Sequence, residues 1–298
     1  MIKAFSRLAL SVVVALSIGA GTVQAAVPDI QVVVNNSTVY AGVEPYVEKG
    51  TTMIPIKALQ YIPGNSTIWN NTTQTVTVSQ DGTVIKLVIG QTTATIGDRT
   101  VNLPVAPTLR SGRAMVPLRF LAEAAKAAVS WNPASRTVYV AKTPPQLIQQ
   151  ANGSDLALGR EAAVSMPRIS KLKSYAPSDD SNAGYTYYFP EGQSFPFFEQ
   201  RGDVISYYEM QDNHSELAWT AKLNMNQTST SPIFFLPYEI ASQTGTTPTV
   251  TGRVAFYDTL PVSGATRSGY ITPAAPATGA GSNQTPGRFG NITGEIKK

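Results

Sequence analysis

The sequence predicts an α+β protein: a duplicated strand–helix–hairpin unit, followed by a mainly antiparallel β domain. Three observations carry this. Residues 51–78 align without a gap on residues 113–140, with Met53 on Met115, Pro55 on Pro117, Leu59 on Leu121, Trp69 on Trp131 and Asn70 on Asn132, at a constant offset of 62 positions. One offset held over that length signals an internal duplication. Residues 29–141 read as short β-prone runs between Asn, Asp and Gly turn pairs, and residues 155–260 as strands of another kind, rich in tyrosine and phenylalanine.

At the start of the chain, Lys3 and Arg7 precede an apolar run over residues 8–18, and Val23-Gln24-Ala25 has the small-x-small form of a signal-peptidase site. Residues 1–25 therefore read as an export signal, cut after Ala25, because the apolar run is too short to span a bilayer comfortably. No later stretch has the length and apolarity of a membrane helix. The expected location is secreted, extracellular or associated with the cell wall. The chain has no cysteine, which excludes disulfides, thiolate chemistry and cysteine-held metals. Its formal charge of +4 comes from 23 basic and 19 acidic side chains in 298 residues, spread without a basic patch, so nucleic acid is not expected as a partner.

In the duplicated unit, Asn35-Asn36, Asp81-Gly82 and Gly97-Asp98 mark hairpins, because Asn, Asp and Gly tolerate positive φ. Pro55 and Pro117 sit where a proline opens a helix, since the missing N–H costs nothing there. Leu118, Leu121, Ala122 and Ala125 form one apolar helical face. Pro63-Gly64 ends the first helix early. Trp69 and Trp131 hold equivalent places and read as core anchors of their repeats.

The run Met115-Val-Pro-Leu-Arg-Phe-Leu-Ala-Glu, then Val129-Ser-Trp-Asn and Thr137-Val-Tyr-Val, resembles the stalk domain of exported Gram-positive proteins. That family is also called the copper amine oxidase N-terminal-like domain, and the resemblance covers residues 27–141. It implies an accessory spacer or docking module. In the oxidases, metal and quinone sit in a larger catalytic domain, so no cofactor is expected here, and a single histidine is too few for a copper site. Lys126 stands where the family has the glycine that ends the helix. A left-handed lysine costs about 1 kcal/mol, so the second helix is expected to run on through Ala128. Repeat one has Lys57 and Tyr61 in place of the family's arginine and glutamate, which leaves Arg119 and Glu123 as the one such pair.

Residues 142–154 read as a linker. Within 155–260, strands are expected over residues 185–189, 195–198, 204–209, 217–223, 233–236 and 253–257. Residues 261–298, rich in Pro, Ala, Gly, Ser and Thr, read as a largely disordered tail.

Chemistry-bearing patterns are sparse. His214 lacks the serine elbow a triad needs. Asp179-Asp180 and the acids of residues 212–216 lack the alternation of a calcium loop. Glu191, Glu199, Glu209 and Glu216 offer carboxylates for a glycosidase pair, a chemistry that needs two of them at a fixed separation. Neither a catalytic residue nor a metal ligand is assigned. The aromatics are the better lead: Tyr185, Tyr187, Tyr188, Tyr207, Tyr208 and Trp219 would stack sugar rings or a partner if one row is exposed. Packing within the β domain is the competing reading, because tyrosine favours strands. The leading functional expectation is a non-catalytic exported protein binding cell-wall or extracellular polysaccharide or another surface protein. The alternative is a secreted glycan-acting hydrolase with its site in residues 155–260.

Overall fold

The computed structural model describes residues 29–40, 42–179, 184–228, 231–259, 266–273 and 275–278. The export signal of residues 1–25 and most of the expected tail, residues 279–298, lie outside the described residues.

Strands β1 (Gln31–Val34), β2 (Ser37–Thr38), β3 (Tyr46–Glu48) and β4 (Thr51–Pro55) lead into a 3-10 turn over Ile56–Tyr61, then β5 (Asn65–Asn70) and β6 (Thr75–Gln80). After β7 (Thr83–Val88) the order recurs as β8 (Thr93–Ile96), β9 (Arg99–Asn102), β10 (Thr108–Arg110) and β11 (Arg113–Pro117). Helix α1 (Leu118–Ala124), β12 (Ala128–Asn132) and β13 (Thr137–Ala141) complete it. Adding 62 to the bounds of β3 and β4 returns those of β10 and β11. The two helical segments each begin right after the proline that closes the preceding strand.

The central sheet runs β10-β11-β4-β3. Ile54 pairs with Val116, its own equivalent, flanked by Met53 with Pro117 and Pro55 with Met115. The pairing is therefore two-fold symmetric about that residue pair. The outer sheets exchange strands between repeats. β1 of the first repeat runs parallel to β13 of the second in the order β12-β13-β1-β2, and β7 joins the first repeat's β6 to the second repeat's β8 in the order β5-β6-β7-β8-β9. One cluster of buried side chains serves both repeats, including Ile54, Leu59, Val76 and Leu87 with Val116, Leu121, Val138 and Val140.

Two expectations for this half are corrected. Trp131 is no core anchor: it is 38% exposed, because alternation along β12 turns Ser130 and Asn132 inward and the tryptophan outward. Trp69 packs only partly against the core. The second helix does not run on through Ala128. Lys126 accepts the left-handed conformation at φ 55°, as Gly64 does at φ 80°, and β12 begins at Ala128.

The segment expected to be a linker contains helix α2 (Pro145–Asn152), and α3 (Leu156–Ser165) follows it. Pro145 lies in the first turn of α2, and the Asp155 carboxylate caps α3 by accepting the Leu158 N–H at 3.0 Å. Beyond them, β14 (Arg168–Ile169), β15 (Tyr185–Pro190), β16 (Phe197–Arg201), β17 (Val204–Gln211), β18 (His214–Thr228), β19 (Tyr238–Gly245), β20 (Val254–Thr259), β21 (Thr266–Thr272) and β22 (Ala275–Thr278) form one sheet. Its order is β14-β18-β17-β16-β15-β20-β21-β22, with β19 also paired to β18. Only β14 joins in parallel; the other pairs are antiparallel. The sheet thus continues past residue 260 into the segment read from composition as tail. Residues 233–236, expected as a strand, form a turn whose Ile233, Phe235 and Leu236 plug one face of the sheet.

Candidate functional site

Most of the expected aromatic platform lies inside the protein. Tyr187 and Tyr208 pack on one face of the large sheet with Phe189, Phe197 and Tyr257, under Ala163 and Val164 of α3. Tyr188 and Trp219 pack on the other with Phe198, Ile205 and Phe235. Trp219 has no exposed surface, and Tyr187, Tyr188 and Tyr208 are buried. Tyr185 and Tyr207 are half-buried, on opposite faces. No exposed row unites the six. Strands covered on both faces need large apolar side chains at every position, which is why this region is so aromatic.

The acids are mostly committed to cations. Arg168 grips Glu199 with two charge-assisted hydrogen bonds, of 2.9 Å and 2.7 Å, while its guanidinium lies 4.6 Å from the Tyr208 ring centroid. Glu191 pairs with Arg253, and Lys171 donates to Glu216 at 2.7 Å. Glu209 and Glu216 are cross-strand partners on β17 and β18, in a cleft of about 460 Å³ that also holds His214 and Lys171. His214 is 5% exposed, and burial pushes its pKa below the usual imidazole value. Its Nε2 lies 3.9 Å from Glu216 Oε2, too far for a hydrogen bond.

The two halves are joined by side-chain amides. Asn35 and Asn36 take positive φ in the β1–β2 turn, which aims both side chains away from the hairpin. Asn35 clamps the Lys142 peptide, donating to its carbonyl at 2.9 Å and accepting its N–H at 2.8 Å. Asn36 donates to the Met166 carbonyl at 3.0 Å and accepts the Arg168 N–H at 2.7 Å. Asn132, fully buried, donates to the Leu172 carbonyl at 2.7 Å. Thr143 donates to the Asn213 carbonyl at the tip of the β17–β18 hairpin. Read alone, these asparagines signal only turns; the signal for docking is that Asn36 and Asn132 reach across the boundary to residues 166, 168 and 172.

A groove of about 610 Å³ opens in the first half. Trp131 and Val129 of β12, Phe120 of α1, Val47 of β3, and Asn102 and Pro104 line it, with Arg119 and Glu123 of α1. Arg119 and Glu123 are exposed, one helical turn apart, and neither forms an ion pair among the described residues. The sequence singles out Trp131, Arg119 and Glu123, but as a core anchor and a charge pair rather than as the walls of one site.

Residues 33–140 match the family model of the copper amine oxidase N-terminal domain. No curated protein matches the chain. The copper in that family's name finds no ligand set here: no three His, Cys, Asp or Glu side chains converge among the described residues, and the chain has one histidine. No described helix is long and apolar enough to cross a membrane.

Proposed function

We propose that, with its matched N-terminal domain ending where α2 begins, this chain is a non-catalytic exported protein of the cell envelope or extracellular space. The stalk-type module spaces and presents the β domain, and the whole binds an envelope polysaccharide or surface protein. The observation that carries this reading is the joint. Asn36 and Asn132 hydrogen-bond to backbone groups of residues 166, 168 and 172, so orientation is held by directional contacts rather than left to a flexible tether. A module fixed in this way suits presentation more than turnover. The test is retention of residues 26–298 on insoluble peptidoglycan, exopolysaccharide and chitin, alongside mass spectrometry of the exported protein for an N-terminus at Ala26. Retention without release of reducing ends is expected. An intact Met1 on membrane-held protein, or failure to be retained on all three matrices, would count against it.

One observation favours a glycan hydrolase as the second reading: Glu209 and Glu216 sit side by side in the cleft beside His214. Adjacent carboxylates are the requirement of a retaining mechanism. Glu216 is already held by Lys171, however, and the pair shares one wall instead of flanking a bond. Release of reducing ends that vanishes in Glu209→Gln would favour this reading over the first.

A further inference from the structure

We infer that the groove beside Trp131 is a binding site for an uncharged pyranose oligosaccharide. This rests on the envelope-binding reading and gives it a location and a ligand class. A sugar ring presents an apolar C–H face and an edge of hydroxyls that both donate and accept hydrogen bonds. It therefore needs a flat aromatic face with unspent donors and acceptors beside it. Trp131 supplies the face: it is 38% exposed, on a wall shared with Phe120 and Val47. Arg119 supplies donors and Glu123 acceptors, and neither is spent on an ion pair among the described residues. The groove's size of about 610 Å³ lies within the roughly 300–1,000 Å³ range of small-ligand sites.

Charge selects the class of sugar. One cation and one anion a helical turn apart leave the rim without net charge. An anionic polymer would meet Glu123, and a cationic one Arg119, whereas neutral hydroxyl and amide groups satisfy both. The internal repeat supplies a comparison within the same molecule. At the equivalent places the first repeat has Lys57, Tyr61 and a half-buried Trp69. The fold is thus built there without the arginine and the glutamate, and one site per chain is expected rather than two.

The test titrates residues 26–298 with chitopentaose and with cellopentaose, followed by calorimetry and tryptophan fluorescence; Trp219, buried at 0% exposure, stays silent. Saturable binding of at least one probe at one site per chain is expected. Trp131→Ala should weaken it about ten-fold, the upper end of a lost aromatic contact, while Trp131→Phe keeps most of it. Glu123→Gln and Arg119→Gln should each weaken it several-fold, and Trp69→Phe should leave it unchanged. A cooperative urea transition for Trp131→Ala with unchanged slope, destabilised by less than ~1 kcal/mol, checks that the fold is kept. Absence of saturable binding to both probes, binding indifferent to Trp131→Ala, or displacement of the sugar by decaproline would overturn the inference. Retention of the Trp131→Ala protein on an envelope polysaccharide would sink the groove alone. Loss of retention by wild-type protein as well would sink the envelope-binding reading.

Discussion

Replacing Asn132 by alanine should cost more stability than replacing Asn70, although the two residues occupy the same place in their repeats. Each side-chain oxygen accepts two backbone N–H groups of the turn that follows: Thr72 and Thr73 at 2.9 Å and 3.0 Å for Asn70, Ala134 and Ser135 at 3.0 Å and 3.2 Å for Asn132. The turn contribution is therefore shared. At Asn70 the site is exposed, water replaces both bonds, and the loss should be about 0.5–1 kcal/mol. Asn132 is at 0% exposure and also donates to the Leu172 carbonyl at 2.7 Å, across the boundary between the halves. Truncation there takes one donor from a half-buried carbonyl that still accepts the Ser170 hydroxyl at 2.9 Å, a further loss of roughly 0.5–1.5 kcal/mol. The total for Asn132→Ala is about 1–2.5 kcal/mol, and the difference between the two variants is the worth of the cross-boundary bond. Urea unfolding of both variants, compared at unchanged slope, measures it. Asn132→Asp keeps the turn but sets a carboxylate against that carbonyl. Its folded-state pKa should rise, so the variant should regain stability relative to wild type as pH falls through that raised value. Costs for the two alanine variants within about 0.5 kcal/mol of each other would refute the reasoning, since such differences lie inside ordinary scatter.

Glu199→Gln leaves the Arg168 guanidinium without its counter-charge. A fully buried pair would lose ~3–5 kcal/mol, but the Arg168 side chain is 25% exposed, so about 2 kcal/mol is expected in urea unfolding, with much of it recovered in Arg168→Met/Glu199→Leu. His214, its pKa lowered by burial, stays neutral in the folded state below the pH at which the unfolded chain takes up a proton. Stability should therefore fall as pH drops below about 6.5, and His214→Gln should flatten that dependence in melts between pH 5 and 7, taken as an approximate window. Trp219→Ala should cost about 3–5 kcal/mol, whereas Trp131→Ala should cost less than ~1 kcal/mol; equal costs would contradict the exposure difference.

The offset of 62 shows in the sequence as residue identity at fixed spacing, and the Ile54–Val116 pairing follows the same offset. Hairpins were legible because Asn, Asp and Gly announce positive φ; Asn35, Asn36, Asp81, Gly82 and Gly97 all adopt it. What fails is any inference from type to burial. Trp131 reads like Trp69, yet a position on an edge strand differs from its equivalent by what packs over it, and sequence carries no record of that. The six aromatics gave the opposite error: alternation along a strand sets Tyr187 and Tyr188 on opposite faces, but carries no sign that both faces are covered. Helix α2 was hidden because six of its eight residues are Pro, Gln, Ala or Asn, with Ala151 the one buried side chain, and Pro144-Pro145 at its start resembles a linker. Lys126 adopts the left-handed conformation despite a penalty of about 1 kcal/mol.

The exchange of strands between repeats also decides how the first half bears tension. β1 and β13 lie parallel, Gln31 beside Thr137 and Val34 beside Val140, so the chain enters at one end of this ladder and leaves at the other. A pull on residue 29 against residue 142 drags the two strands lengthwise past each other and loads their hydrogen bonds together. A hairpin opened at its mouth, such as β12–β13, instead gives way one rung at a time. The Asn35 clamp on Lys142 sits at the exit end of the same ladder and takes part of that load. Resistance to extension is a matter of barrier height rather than equilibrium stability. A module built this way transmits tension from one end to the other before it yields, and an optical trap attached at residues 29 and 142 would read that resistance directly.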